Sequence, residues 1–226
     1  MEAWLYEIIP NVMDKPQELW KSTQQTLYMT FYSGVISFAI GLILGIVLII
    51  TGPGGIARNK VIYGLLDKVI NLFRSIPFVI LLASLIPFTR LVVGTAIGTK
   101  GAILPLIFGT VPFYSRQVET ALAEIDHGLI EAAQAMGTSP LGLIFRVYLK
   151  ESVPSLVRVT TITLISLIGL TAMAGAIGGG GLGDFAIRYG HQRNQTDITY
   201  VTVIILLLMV MIIQGIGNII IKKTTH

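Results

Sequence analysis

The residue types that catalysis needs are scarce in this sequence and do not form catalytic patterns. The chain has 226 residues with no cysteine and three histidines, and His127, His191 and His226 do not stand at metal-ligand spacing. Neither H-E-x-x-H nor G-x-S-x-G occurs, so the residues for metal-dependent and serine hydrolysis are missing. We therefore expect a chain that is not an enzyme and that binds no metal or cofactor itself.

A glycine run, "GGGGLG" from Gly178 to Gly183, formally satisfies the dinucleotide-binding pattern G-x-G-x-x-G. That pattern holds a pyrophosphate only where it follows a strand and opens a helix, and here it follows a long apolar run. The chain also lacks a G-K-[ST] sequence. We expect the glycines to break a helix where the chain turns, and we expect no ATP binding by this chain.

The segment Glu124–Phe145, "EIDHGLIEAAQAMGTSPLGLIF", is a mixed-polarity stretch between two apolar runs. Asp126 is suited to cap a helix that ends at Gly137, where glycine can adopt a left-handed conformation. Ser139 followed by Pro140 predicts the start of a second helix. The segment is thus predicted to be two short helices joined by a sharp corner.

The first of these helices has a face that a partner protein could cover. Glu131 and Gln134 lie on the side opposite to an apolar flank of Leu129, Ala132, Ala133 and Met136. Ala132, Ala133 and Gly137 would form a shallow small-residue surface, and a short amphipathic helix in a partner's groove is a known mode of recognition. The residues alone leave open a connector that merely reverses the chain.

The composition is that of an integral membrane protein. Hydrophobic residues make up 53% of the chain, charged residues 12%, and the mean hydropathy is +0.77, whereas soluble domains carry about 25% charged residues. The pI near 9.4 would suit nucleic-acid binding only if the basic residues were clustered. They are scattered, so we expect no nucleic-acid partner.

We predict an all-α membrane domain that covers residues 1–226, with about five transmembrane helices. A charge-free run of about 24 residues gives about 36 Å of helix, enough for a hydrocarbon core of about 30 Å. Residues 1–24, with Trp4 and Trp20, are predicted to lie at the membrane interface. Ser37, Gly41 and Gly45 are predicted to form a stripe for close helix packing, although incidental glycines are the alternative. The predicted spans are residues 27–50, 63–88, 101–123, 153–177 and 198–221, and the helix pair of residues 124–150 lies between the third and fourth.

The orientation follows from the distribution of Lys and Arg, which are more frequent on the cytoplasmic side. One side receives ten of these residues: Arg58, Lys60, Lys68, Arg74, Arg116, Arg146, Lys150, Arg158, Lys222 and Lys223. The other receives six: Lys15, Lys21, Arg90, Lys100, Arg188 and Arg193. We therefore expect the N-terminus outside, the C-terminus in the cytoplasm and the helix pair in the cytoplasm.

"EAAQAMG" followed by "VYLK" resembles the EAA signature of permease subunits in binding-protein-dependent ABC importers. The matching positions are Glu131, Ala132, Ala133, Gly137 and Leu149. Val147 stands in for an isoleucine of the signature, and Lys150 replaces its proline, so we expect Pro154 to supply the helix break. The resemblance identifies the helix pair as an ATPase-coupling element in which Met136, Ser139 and Pro140 accompany the matching residues.

Two further stretches, Asn71–Gly98 and Gly175–Arg193, are similar to methionine-importer permeases. The resemblance covers nearly the whole chain after about Gln25. It implies a homodimer in a bacterial inner membrane, two separate ATPase subunits that carry ATP-Mg, and an external solute-binding protein.

Residues of the fourth span and of the loop after it are candidates for the transport path. Ser166 and Thr171 would line the pathway, and Met173 of two copies could close it, although a core- or lipid-facing methionine is the alternative. Gly180, Asp184 and Arg188 are candidates for docking the binding protein, although a flexible external loop is the alternative.

We expect the chain to form the pathway for an amino acid, with methionine as substrate. Importers of another amino acid or of a dipeptide have the same architecture, because selectivity lies largely in the binding protein. A secondary transporter would have inverted repeats and an ion site near the membrane midplane, and the sequence has neither feature. A membrane scaffold that transports nothing is the remaining alternative.

Overall fold

The computed structural model describes residues 6–224, and this part of the chain consists of helices, turns and loops without a strand. Trp4 and His226 lie outside the described residues. The helices are α1 (Pro10–Met13), α2 (Pro16–Thr51), α3 (Lys60–Ser75), α4 (Phe78–Ser84), α5 (Ile86–Val93), α6 (Gly98–Ala123), α7 (His127–Ala135), α8 (Pro140–Leu143), α9 (Val153–Ala174), α10 (Gly181–Phe185) and α11 (Thr196–Thr224). π-Helical turns follow α8 at Ile144–Tyr148, α9 at Gly175–Gly179 and α10 at Ala186–His191, and a short α-helical turn, Leu149–Glu151, follows the first of them.

Three helical stretches in the described part are long and apolar enough to cross a membrane: Pro16–Thr51, Val153–Gly179 and Thr196–Thr224. Helices α5 and α6 together would make a fourth, bent by 117° at their junction. The chain is therefore a multi-pass helical membrane protein, as its composition predicts. The first, fourth and fifth predicted spans fall within the three long stretches.

The second predicted span, residues 63–88, is not one helix but is divided among α3, α4 and α5. A proline disfavours the helical conformation of the residue before it, and Ile76, which precedes Pro77, is extended at φ −84° and ψ 123°. The second break lies just before Pro87, which has no N–H for a continuing helix. The apolar run therefore contains two helix breaks, each caused by a proline.

The helices form two compact units. The first runs through Val35 and includes Pro77–Phe108 and Leu164–Ile213, and the second comprises Ile36–Ile76, Gly109–Thr163 and the chain from Gln214. Met29, Leu82, Leu106 and Leu167 are among the buried residues of the first core. The second core is built from Tyr114, Val118 and Leu122 of α6 with buried residues of the predicted helix pair.

Helices α2 and α6 approach each other closely at two glycines of the predicted packing stripe. A Cβ atom on Gly41 would lie 2.7 Å from Tyr114 Cδ1, and one on Gly45 would lie 2.5 Å from Val118 Cγ1. Real Cβ atoms do not approach so closely, so both positions require glycine. The stripe is a helix-packing surface, as predicted.

We expect Gly45→Ala to destabilise the protein by about 1–3 kcal/mol, because the added methyl overpacks the contact with Val118. Gly64→Ala is the matched control, since a Cβ there meets nothing within 4 Å. Thermal unfolding of both variants in detergent tests this prediction. Equal unfolding temperatures for the two variants would show that the α2–α6 contact does not need the glycine.

Candidate functional site

The helix pair has the caps and the corner that its sequence predicts. Asp126 Oδ1 accepts a 2.7 Å hydrogen bond from the N–H of Gly128 at the start of α7. Gly137 is left-handed, at φ +78°, and the N–H groups of Gly137 and Thr138 donate to the carbonyls of Gln134 and Ala133 at 2.9 and 3.1 Å. This is the Schellman arrangement, which ends a helix sharply.

The second helix begins at Pro140 and continues through the π-helical turn to Glu151. Ser139 caps it by accepting a hydrogen bond from the N–H of Gly142 at 3.2 Å. The chain turns at Ser152, because Pro154 has no N–H to donate to the carbonyl of Lys150 four residues earlier. The break expected from Pro154 is therefore confirmed.

One side of the helix pair is packed into the core of the second unit. Ile130 and Ala133 of α7 and Leu143 and Val147 of the second helix are buried there against α6. Tyr148 is buried beside them, and its burial raises the pKa of the phenol above its usual value.

The expectation that Ala133 would share a shallow surface with Ala132 and Gly137 is wrong, because Ala133 is only 7% exposed. Residues three apart share a helix face, so Ala133 follows Ile130 into the core. Ala132 and Gly137 are exposed, as expected, and so is Glu131.

The other side of the pair carries large apolar side chains that nothing in the described chain covers. Leu129 is 45% exposed, Met136 79%, Leu141 68% and Phe145 65%. Met136, Leu141 and Phe145 line an open depression together with Gly137, Ser139 and Arg146. We call Leu129, Ala132, Met136, Leu141 and Phe145 the exposed apolar face. Leu141 and Phe145 are not among the residues predicted for this face, although their spacing of four after Pro140 indicates that they share it.

A charge network joins α3 to α6 in the second unit. Arg116 donates to Asp67 Oδ1 and forms an ion pair with Glu119 at 2.6 Å. A longer contact of 3.4 Å reaches the side-chain oxygen of Asn71. Both carboxylates are thus partners of one guanidinium.

The three pathway candidates on α9 do not share a face. Met173 is 42% exposed, and Ser166 and Gly169 are exposed at helical spacing along the same side. Thr171 is only 1% exposed, and its hydroxyl donates to the carbonyl of Ile168 at 2.7 Å. The structure therefore keeps Ser166 and Met173 as candidates and places Thr171 in the core, where its hydroxyl already has a partner.

The glycine run breaks the helix as predicted, and the first long helix holds it in place. Gly178, Gly180 and Gly181 have φ values of +91°, +76° and +79°. The N–H of Gly181 donates to Gln25 Oε1 at 2.9 Å, and the N–H of Leu182 donates to Thr26 Oγ1 at 2.8 Å.

These two bonds cap the start of α10, because Gly180 at the capping position has no side chain. No local pattern in the sequence indicates Gln25 and Thr26, since they lie about 156 residues away.

Two of the three residues predicted to dock the binding protein are in contact with each other. Arg188 and Asp184 form an ion pair at 3.0 Å across one helical turn. Gly180 instead lies against Gln25, where a Cβ atom would approach Oε1 to 3.0 Å. In residues 6–224 no group of three or more His, Cys, Asp or Glu side chains is placed to hold a metal ion.

Comparison with known proteins relates this geometry to a family. Residues 37–226 match the family model described as binding-protein-dependent transport system inner membrane component. The probable D-methionine transport system permease protein MetI of Vibrio cholerae is 46% identical over 205 residues, which are 91% of each chain. The D-methionine transport system permease protein MetI of Escherichia coli K12 is 50% identical over 137 residues, or 61% of this chain and 63% of the relative.

Solved structures give the same result at the level of the fold. An inward-facing structure of the MetNI methionine ABC transporter superposes with a TM-score of 0.91 at 44% identity, over 94% of this chain and 99% of the other. An amino acid ABC transporter with histidines superposes with a TM-score of 0.78 at 15% identity, over 95% and 98% of the two chains. The second likeness is one of fold alone.

We expect Gln25→Ala and Thr26→Val each to destabilise the start of α10 by about 1 kcal/mol, as loss of a helix cap does. The amides of Gly181 and Leu182 should then exchange with deuterium about five times faster, which hydrogen-exchange mass spectrometry can measure. Gln24→Ala, at the exposed neighbouring position, is the control. Unchanged exchange in both cap variants would contradict the assignment.

Proposed function

Because this chain belongs to the family of binding-protein-dependent transport system inner membrane components, we propose that it is the permease of an ATP-driven methionine importer. The observation that carries the proposal is the 46% identity to a methionine permease across 91% of both chains. The permease supplies the pathway and is not a catalyst, and ATP-Mg is bound and hydrolysed on a separate ATPase subunit. Two copies of the chain and an external solute-binding protein complete the importer.

We propose that the chain crosses a bacterial inner membrane five times, with the N-terminus outside. The three long stretches, the bent pair of α5 and α6, and α3 together with α4 would be the five crossings. The excess of Lys and Arg on one side supports a cytoplasmic helix pair. The pairing of Asp67 and Glu119 with Arg116 disfavours a secondary transporter, since neither carboxylate is left as an ion site.

We propose that the ATPase docks on the exposed apolar face of the helix pair. A rigid, capped helix with exposed anchors fits a groove in a partner, and burial of such anchors supplies most of the binding energy. Met136, Leu141 and Phe145 are the largest exposed anchors. Glu131, Gly137, Ser139 and Pro140 shape this element, and the buried side of the pair connects it to α6.

We propose that the exposed stripe of α9 lines the pathway between two copies of the chain. Ser166 offers a hydroxyl to a polar substrate, and Met173 supplies a flexible apolar side chain near the glycine run. Their exposure in the single chain supports this assignment. Asp184 and Arg188 lie beyond the glycine run, on the side that the proposed orientation gives to the binding protein.

The neighbouring residues Ala132 and Ala133 provide a matched test of the docking proposal. Ala132→Leu adds a larger side chain at the proposed contact with the ATPase. It should therefore impair binding of the ATPase and ATP-driven methionine uptake, while the permease unfolds at its normal temperature. Ala133→Leu overpacks the buried side, so it should lower stability by about 1–3 kcal/mol. Uptake in proteoliposomes, co-purification of the ATPase and thermal unfolding measure the three effects.

The docking proposal fails if Ala132→Leu retains both the ATPase and full uptake. The importer proposal fails more generally if the unmodified complex takes up no methionine when ATP and the binding protein are present. The two failures are distinct, because the second does not involve a variant.

We expect Met173→Ala to raise passive methionine leak through the assembled complex in the absence of ATP, because a shorter side chain leaves the closed pathway wider. Met211→Ala, at a methionine on α11 that is 66% exposed, is the control. Efflux from preloaded proteoliposomes measures the leak. If both variants leak as little as the unmodified complex, Met173 is not a gate.

A further inference from the structure

Three basic side chains gather around one aromatic ring in the first unit. The guanidinium carbons of Arg188 and Arg193 each lie 4.8 Å from the centroid of Tyr189, and the Lys15 ammonium lies 5.8 Å from it. These distances are those of cation–π contacts. Lys15 directly precedes α2, Arg188 and Tyr189 belong to the π-helical turn after α10, and Arg193 lies in the loop before α11. We call Lys15, Arg188, Tyr189 and Arg193 the basic cluster.

Only one of the three cations in the basic cluster forms an ion pair within the described residues. Asp184 pairs with Arg188 at 3.0 Å, but among residues 6–224 neither Lys15 nor Arg193 forms an ion pair. The nearby carboxylate of Asp197 is engaged elsewhere, since it accepts from the backbone N–H groups of Asn11 and Val12 at 2.9 and 3.3 Å. It also accepts from the side-chain amide of Asn11 at 3.0 Å.

The aromatic ring at the centre of the basic cluster packs on buried residues. The Tyr189 ring packs on that of Phe185 with 5.3 Å between centroids, and Phe185 is fully buried with Val12 and Ile198. The hydrogen bonds of Asp197 attach the N-terminal segment to this core. Cationic groups held in position lose less conformational entropy when they bind an anion.

The basic cluster lies on the proposed outer side of the membrane, which has fewer Lys and Arg residues than the cytoplasmic side. Under the proposed orientation that side has six Lys and Arg residues, and three of the six surround this single ring. Gathering like charges is unfavourable unless an anion relieves the repulsion. We propose that the basic cluster is a docking site for carboxylate side chains on the external solute-binding protein, an inference that rests on the proposed function.

The chemistry favours a protein carboxylate over a phospholipid. Basic clusters that bind anionic lipids exploit the negative potential of the cytoplasmic leaflet, and this cluster faces the opposite side under the proposed orientation. Arg binds a carboxylate through two parallel hydrogen bonds. Tyr and Arg are also among the residues enriched at the energetic centres of protein interfaces. Asp184 already forms an ion pair with Arg188 at 3.0 Å, which leaves Arg193 and Lys15 to the partner.

The test measures binding of the purified solute-binding protein to the assembled permease–ATPase complex in nanodiscs of neutral phosphatidylcholine. Arg193→Gln should weaken binding about tenfold at low salt, and the difference from the unmodified complex should shrink at high salt. Arg193→Glu should weaken it further. Lys100→Gln removes an exposed cation from the same side and should leave the affinity unchanged. Co-purification of the ATPase with each variant verifies assembly.

Three results would overturn the inference. Equal affinities for Arg193→Gln and Lys100→Gln would show that the cluster takes no part in docking. An unchanged affinity for Arg193→Glu would do the same by charge reversal. A loss that occurs only when anionic phosphatidylglycerol is added would assign the cluster to lipid. Absence of ATP-driven methionine uptake by the unmodified complex would instead contradict the proposed function.

Discussion

The close contact between α2 and α6 is the constraint on which the candidate coupling site depends. Gly41 and Gly45 let α6 approach so closely that its Tyr114 and Val118 fill the space that side chains would occupy. In a membrane this contact replaces hydrophobic association, because lipid competes for any apolar surface that is less well packed. The same stretch of α6 receives the buried side of the helix pair. The helix pair and α2 therefore pack on the same stretch of α6.

In the first unit, helix ends without local caps are satisfied by side chains from distant parts of the chain. Gln25 and Thr26 accept hydrogen bonds from the first amides of α10, and Asp197 accepts them from the start of α1. Unpaired amides are costly where water is scarce, so these hydrogen bonds stabilise helix starts that have no local side-chain cap. They also hold the segment that carries the basic cluster.

Much of the fold and of the candidate site follows from local rules. The corner at Gly137, the caps at Asp126 and Ser139 and the stop before Pro154 each depend on neighbouring residues, and all are as predicted. The broken second span depends on Pro77 and Pro87, which a count of apolar residues does not weigh. The burial of Ala133 and Thr171 could not be read from spacing alone, because it depends on which neighbouring helix each face meets. Only the tertiary fold brings Gln25 and Thr26 to the glycine run and Lys15 to the ring of Tyr189, whereas Arg188 and Arg193 are close to Tyr189 in sequence.

The exposed apolar face is proposed to be the surface on which an ATPase subunit binds this permease. The chain has no cysteine, so Met136→Cys gives a single reactive thiol at a position that is 79% exposed, and Lys222→Cys gives an exposed control on α11. The measurement is the labelling rate of each thiol by a membrane-impermeant maleimide, in permease alone and in permease with the ATPase. The ATPase should protect Met136→Cys from labelling and leave Lys222→Cys reactive, and this result would support docking at the face. Equal labelling of Met136→Cys with and without the ATPase would contradict it.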